Sequence, residues 1–120
     1  MSSEASTPVK AVTSLDVLEQ LDIRVGTIEV VTEVERSTKL VELRVSFGDH
    51  TRQILVGMKQ ERSNPREIEG MQALFVINLA PRTIMGRISE GMLLDIGHAD
   101  GRTPVLAIPE RAVPPGTRAG

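Results

Sequence analysis

Val76-Ile77-Asn78-Leu79-Ala80-Pro81-Arg82-Thr83-Ile84-Met85-Gly86-Arg87-Ile88-Ser89-Glu90-Gly91-Met92-Leu93-Leu94 is the stretch on which the reading of this chain turns. Two apolar runs, Ala73 to Leu79 and Met92 to Ile96, flank a segment punctuated by Pro81, Gly86 and Gly91. That pattern predicts a buried strand, an irregular loop and a second buried strand. The loop carries Asn78, Arg82, Arg87 and Ser89 to the lip of a core, as amide, guanidinium and hydroxyl donors. Met85 and Met92 add flexible apolar contact, and the mixture suits the gripping of a polar polymer.

Upstream, Ala73 to Leu79 lacks alternation, as expected of a central strand covered on both faces. Met58 to Ile68 reads as a connection with a short helix, Asn64 as its cap, Pro65 at its first position and Gly70 closing it. Val41, Leu43, Val45 and Phe47 alternate with Glu42, Arg44 and Ser46, giving a half-buried strand. Gly48-Asp49-His50 turns it back into Arg52 to Val56. In the first strand Ile23 and Val25 have one parity and Ile28 and Val30 the other, so a bulge is predicted at Gly26-Thr27. Glu29, Glu33 and Glu35 then form an outward row, read as a solvated face rather than a metal site.

Ser14 is placed to cap a short amphipathic helix, Leu15 to Leu21, with Asp16 in its first turn. A helix this short is unstable alone in water and must lie on the barrel or on a partner subunit. Residues 1–13 have no apolar period and read as a flexible tail, leaving one domain over 14–120. After Met92 to Ile96, a turn at Gly97 to Gly101 and Val105 to Ile108 make a last hairpin, and Pro109, Pro114 and Pro115 stiffen the end. Five short strands with a helical interlude between the third and fourth specify a small closed β-barrel, of OB or SH3 type.

The 120 residues suit one domain with one core. With 40% hydrophobic and 25% charged residues, the composition is that of an ordinary globular protein. There is no membrane-length apolar run and no signal peptide, so a cytoplasmic location is expected. The absence of cysteine excludes disulfides, thiol catalysis and cysteine-ligated zinc. His50 and His98 both fall in turns beside Asp, without metal or triad spacing, and no glycine-rich phosphate cradle is present. No catalytic residue, metal or cofactor is expected. The 14 Lys and Arg against 16 Asp and Glu argue against indiscriminate phosphate binding, and two Phe with no Trp or Tyr leave little for base stacking. Eleven of the cations are Arg, the residue suited to phosphate forks and to stacking on bases.

Asn78-Leu79-Ala80-Pro81-Arg82, then Met85-Gly86, then Ser89-Glu90-Gly91-Met92-Leu93-Leu94 resembles the signature of the tRNA-binding domain appended to some methionyl- and phenylalanyl-tRNA synthetases. The same domain also stands alone in small dimeric proteins. Leu21-Asp22-Ile23-Arg24-Val25-Gly26-Thr27-Ile28 looks like that family's opening strand, and Thr38-Lys39-Leu40 and Val113-Pro114-Pro115-Gly116-Thr117 fall where it expects them. The resemblance covers roughly Leu15 to Thr117. It implies an all-β, five-stranded OB-fold Greek-key barrel, with a short N-terminal helix and a short helix between strands 3 and 4.

By the same resemblance, the RNA-contacting residues are Lys39, Asn78, Arg82, Ser89 and Met92. Met85 and Arg87 lie in the same loop, and Arg24 and Arg44 would widen a positive stripe from the outer faces of the first two strands. Several of these have a structural alternative: Asn78 satisfies a loop carbonyl, Met92 packs in the core, Ser89 caps a turn, Lys39 is a solvated strand end. Many relatives carry an acidic triplet before Lys-Leu and a further basic residue after Pro-Arg. Here those places read Arg36-Ser37-Thr38 and Thr83, so one phosphate contact is missing and weak, shape-selective binding is expected.

The leading expectation is a non-catalytic homodimer that binds structured tRNA and is able to serve an aminoacyl-tRNA synthetase. The alternative is a CsaA-like secretion chaperone holding unfolded polypeptide. The chaperone branch tends toward Asn-Phe-Pro-Pro-Arg and loses the Gly-Met, unlike this chain. A dimerisation domain without RNA binding is the third reading.

Overall fold

In the computed structural model, which describes residues 7–120, strand β1 (Ile23–Glu33) joins the two halves of one sheet. Its second half, Thr27 to Glu33, pairs with β2 (Val41–Ser46), and its first, Ile23 to Thr27, with β4 (Gln72–Val76). β3 (Thr51–Val56) pairs with β2 and β7 (Met92–Leu93) with β4, so the order is β3-β2-β1-β4-β7, antiparallel throughout. Two small hairpins complete the structure, β5 (Arg82–Ile84) with β6 (Arg87–Ser89) and β8 (Asp95–Ile96) with β9 (Val105–Leu106).

The barrel closes between β3 and the chain entering β7. Glu90 N donates to Gln53 O at 2.8 Å, Gln53 N to Glu90 Oε1 at 3.2 Å, and Leu55 N to Ser89 Oγ at 3.0 Å. Two of these bonds use side chains where a regular ladder uses carbonyls, and they satisfy amides that a free strand edge would leave exposed. Gly91 follows because a Cβ there would sit 3.0 Å from Val76 O. This is the expected five-stranded OB barrel.

Alternation builds the core. Val41, Leu43 and Val45 face inward from β2 against Ile28 and Val31 of β1, Ile54 of β3 and Phe75 of β4, all almost wholly buried. Phe47 and Phe75 meet edge to face at 5.6 Å. The C-terminal segment covers the part of β1 that β2 does not reach: Val25 N donates to Thr117 O, Gly116 N to Val25 O, and Ala119 N to Ile23 O, at 2.7–2.8 Å. The Gln72 side-chain amide pairs with the backbone of Val113 in both directions. Among the described residues no helix is long and apolar enough to cross a membrane.

Several boundaries differ from the sequence reading, for physical reasons. The register of β1 slips between Ile28 and Val30 rather than at Gly26-Thr27. Gly26 is instead a point of close approach, where a Cβ would collide with Val45 and Phe47. Because the slip falls at Glu29, the acidic residues do not share one row. Glu29 pairs with Arg44, while Glu33 sits opposite inward-facing Val41. The helix α1 is only Leu15–Glu19, and the Pro65–Ile68 turn is 3-10; neither Ser14 nor Asn64 makes a side-chain cap bond.

β4 ends at Val76; Phe75, Val76 and the following Ile77 are buried in succession, whereas Leu74 is only partly covered and lines the groove beside α1. Within the segment expected as an irregular loop, Arg82–Ile84 and Arg87–Ser89 pair as a hairpin. Of the tail expected over 1–13, residues 1–6 lie outside the described residues, and 7–13 are exposed without regular structure.

Candidate nucleic-acid interface

The β5–β6 hairpin turns on Met85 and Gly86, with φ of 52° and 78°. Two consecutive left-handed residues make the turn that matches strand twist in a two-residue hairpin. Arg82 stands opposite Ser89, and Ile84 opposite Arg87. At its foot, the Ser89 hydroxyl accepts from Leu55 N and donates to Gly91 O at 3.1 Å. Near its tip, Arg87 pairs with Glu42 at 3.2 Å. Glu42 lies just past the β1–β2 loop, so the hairpin runs along the β3 edge and brings its tip to that loop.

The loop itself is rigidly tied. Ser37 Oγ accepts from Lys39 N and Leu40 N, while the Lys59 ammonium donates to Val34 O at 3.1 Å and Ser37 O at 2.7 Å. Its Lys39 side chain is exposed and has no partner among the described residues. Arg82 is likewise exposed and unpartnered. Met85 and Ile88 are each more than half exposed. Arg82, Met85 and Arg87 therefore lie on the hairpin, with Arg87 paired to Glu42, and Lys39 lies on the loop beside Glu42.

The other expected contacts are placed elsewhere. Ser89 is buried, its hydroxyl committed to the barrel seam, and so is turned inward rather than toward an open face. Asn78 accepts from Asp22 N at 2.8 Å and donates to Gln20 O at 2.7 Å, tying the end of α1 to the end of β4. Arg24 makes a two-pronged bond to Asp22, at 2.9 and 3.0 Å, at this same end of β1. That bond holds the Asp22 carboxyl below the usual carboxylate range. Arg44 lies on the outer face but is paired with Glu29 at 3.2 Å. Met92 is half exposed and opposite Val76. The nine residues thus do not form a single surface.

Two supporting side chains carry no sequence signal of their own. Arg52 reads as one polar residue of a strand, yet its Nη1 donates to Ile77 O at 2.7 Å and Glu90 O at 3.0 Å, the two ends of the connection bearing the hairpin. Lys59 reads as a loop cation and is the tie of the facing loop. Their targets are backbone carbonyls, which every sequence supplies equally.

The profile of a family described as "Putative tRNA binding domain" matches residues 23–118. Methionine–tRNA ligase of Parabacteroides distasonis is 38% identical over 110 residues, 92% of this chain and 16% of that protein. The Archaeoglobus fulgidus ligase is 39% identical over 105 residues, 88% of this chain and 16% of the ligase. The chain thus spans about one sixth of the length of these relatives. Among solved structures, a MetRS-related protein from Pyrococcus horikoshii superposes with a TM-score of 0.84 at 30% identity, covering 92% of this chain and all of that one. The chaperone CsaA of Bacillus anthracis superposes at 0.79 and 27% identity, with 92% of this chain and all of that one covered. With residues 23–118 matched to its profile, the chain belongs to the tRNA-binding-domain family.

Proposed function

We propose that this chain is a non-catalytic module that grips structured tRNA on the ledge between the β5–β6 hairpin and the β1–β2 loop. The observation that carries this is Arg82: an exposed guanidinium, left without an acidic partner among the described residues, on a hairpin pinned at both foot and tip. Held this way it meets a phosphate without first ordering its own backbone. Lys39 supplies a second cation, and Met85 and Ile88 present apolar surface to a base or ribose. Arg87 orients the hairpin through its pair with Glu42. Ser89 and Asn78 are positioning residues, and Arg24 and Arg44 add little because Asp22 and Glu29 neutralise them. So small a cationic surface fits the elbow of a folded tRNA better than readout of an anticodon. A cytoplasmic synthetase acting on tRNA is the fitting client.

The test is tRNA binding by wild type and Arg82→Ala across salt concentrations. The substitution is expected to weaken binding about five- to tenfold and to make the log–log salt slope shallower by roughly 0.7–0.9, the yield of one released counterion. Wild-type protein that ignores tRNA at low salt would end this reading.

The active form is a homodimer joined through α1. This helix buries none of its residues, and Leu15, Leu18 and Leu21 are exposed beside a groove lined by Ile23, Leu74, Leu94 and Ala119. A five-residue helix does not persist on such terms in water, and a second copy supplies the missing apolar cover. Leu18→Asp is expected to shift the protein to monomer in sedimentation at micromolar concentration and to lower tRNA avidity about tenfold or more. A monomeric wild type would refute the dimer.

A chaperone reading is favoured by the CsaA superposition and by this same apolar groove. Capture of denatured protein by a wild type that does not bind tRNA would select it.

A further inference from the structure

Lysine and arginine side chains in this chain are, with few exceptions, already occupied. Arg24 and Arg118 face Asp22; Arg44 faces Glu29, Arg62 Glu67, Arg66 Glu69, Arg87 Glu42 and Arg111 Glu110. Arg52 and Lys59 are spent on backbone carbonyls, and Arg102 is engaged as well. Among the described residues that leaves Lys10, Arg36, Lys39 and Arg82. Lys10 lies in the exposed stretch without regular structure before α1. The other three lie on the two adjoining segments of the ledge.

Arg36 is the member that neither the family signature nor the hairpin accounts for. It is fully outside the core, at the tip of the β1–β2 loop, in a left-handed conformation with φ of 67°. That conformation favours Gly, Asn or Asp, so local backbone preference does not explain an arginine there. Around it the backbone is fixed: Ser37 N donates to Val34 O, and the Lys59 ammonium spans Val34 O and Ser37 O. A long flexible cation thus stands on a rigid base, three residues from Lys39 and on the loop whose outgoing strand anchors the hairpin through Glu42–Arg87. Glu35 beside it is exposed, so the loop is not a broadly positive field. A direct contact, rather than long-range attraction, is what such a charge provides.

We infer that Arg36 is a further phosphate-binding residue, forming with Lys39 and Arg82 a three-point clamp on the backbone of the bound RNA. This rests on the tRNA-binding reading above and extends it to a position with a chain-specific residue. Thr83 offers no charge on the hairpin side, and Arg36 restores the third contact from the opposite side of the ledge.

The experiment is tRNA binding as a function of salt for wild type, Arg36→Asn, Arg36→Lys, Lys10→Asn and Arg82→Ala. Asparagine removes the charge yet accepts the left-handed backbone, so the loop keeps its shape. Arg36→Asn is expected to bind three- to fivefold more weakly, with a salt slope shallower by roughly 0.7–0.9, and Arg36→Lys to keep most of the wild-type slope. Lys10→Asn is expected to leave the slope unchanged. If wild type binds and Arg82→Ala weakens it while Arg36→Asn does neither, the clamp fails and the tRNA reading survives. If Lys10→Asn matches Arg36→Asn, the effect is bulk charge and the clamp is equally overturned. If wild type does not bind, the underlying reading has failed instead.

Discussion

Gly26→Ala is expected to destabilise the barrel by about 3 kcal/mol, at the upper end of ordinary overpacking costs, and to lower the melting temperature by roughly 10 °C. A Cβ at this position would overlap Val45 Cγ1, stand 2.8 Å from Phe47 Cε1 and 3.1 Å from Phe75 Cδ1. None of these neighbours has room to retreat. Val45 is inward-facing and fully buried, and the two phenylalanines are locked edge to face against each other. The backbone of β1 would have to move, carrying its pairing with β4 and its bonds to the C-terminal segment. Gly57→Ala is the matched control: a Cβ there meets nothing within 4 Å, and its backbone is not left-handed. That substitution is expected to be neutral or slightly stabilising by restricting the unfolded chain. Equal melting temperatures for the two variants would show that the β1 contact is slack.

Gly26 also shows where sequence reading reaches its limit. A change of buried parity across a glycine is a legible sign of strand distortion, and β1 is distorted, but the slip lies at Glu29. Only three-dimensional packing reveals that Gly26 marks the place where Val45 and the rings of Phe47 and Phe75, far apart in sequence, press on the backbone. β2, whose alternation is clean, is readable nearly to the residue, and the Gly48-Asp49-His50 turn places β3 almost as closely. The hairpin at 82–89 is not, although Met85-Gly86 between short polar–apolar alternations is a faint hairpin pattern. Methionine at the first left-handed position is unusual, since asparagine and aspartate normally announce such a turn.

Site residues divide along similar lines. Arg82 and Lys39 are exposed and cationic, which their loop positions had implied. Ser89 reads in the sequence as an RNA contact or a turn cap, yet with Glu90 it closes the barrel by accepting from Leu55 N, as Glu90 does from Gln53 N. A buried acceptor that replaces a backbone carbonyl has the same one-letter signature as an RNA-facing hydroxyl. Which strand edge lies opposite decides between them, and that is a property of topology. Pairing likewise separates Arg82 from Arg44: both are exposed, but Glu29 sits one strand over from Arg44, across the register slip.

Arg52→Ala is expected to cost about 3 kcal/mol and to weaken tRNA binding several-fold even at temperatures where the variant is fully folded. Arg52 is half-buried, with Nη1 bonded to Ile77 O and Glu90 O and Nε donating to His50 Nε2 at 3.1 Å. Because Nε must donate, His50 accepts there and places its own proton on Nδ1, toward Asp49 at 2.6 Å. Each bond from a charged donor to a carbonyl contributes roughly 1.5–3 kcal/mol, and truncation would leave both carbonyls without it at the two ends of one connection. Those ends would spread, and the hairpin between them would retain only its seam and the Glu42–Arg87 pair. Arg52→Lys keeps the charge but not the planar fork, so about half the stability loss is expected. The salt slope separates positioning from contact: it should stay near the wild-type value in Arg52→Ala and fall in Arg82→Ala, because only Arg82 is placed to displace counterions from RNA. A variant at position 52 that melts with wild type, or whose slope falls as far as that of Arg82→Ala, would remove Arg52 from the support of the ledge and place it among the RNA contacts or nowhere.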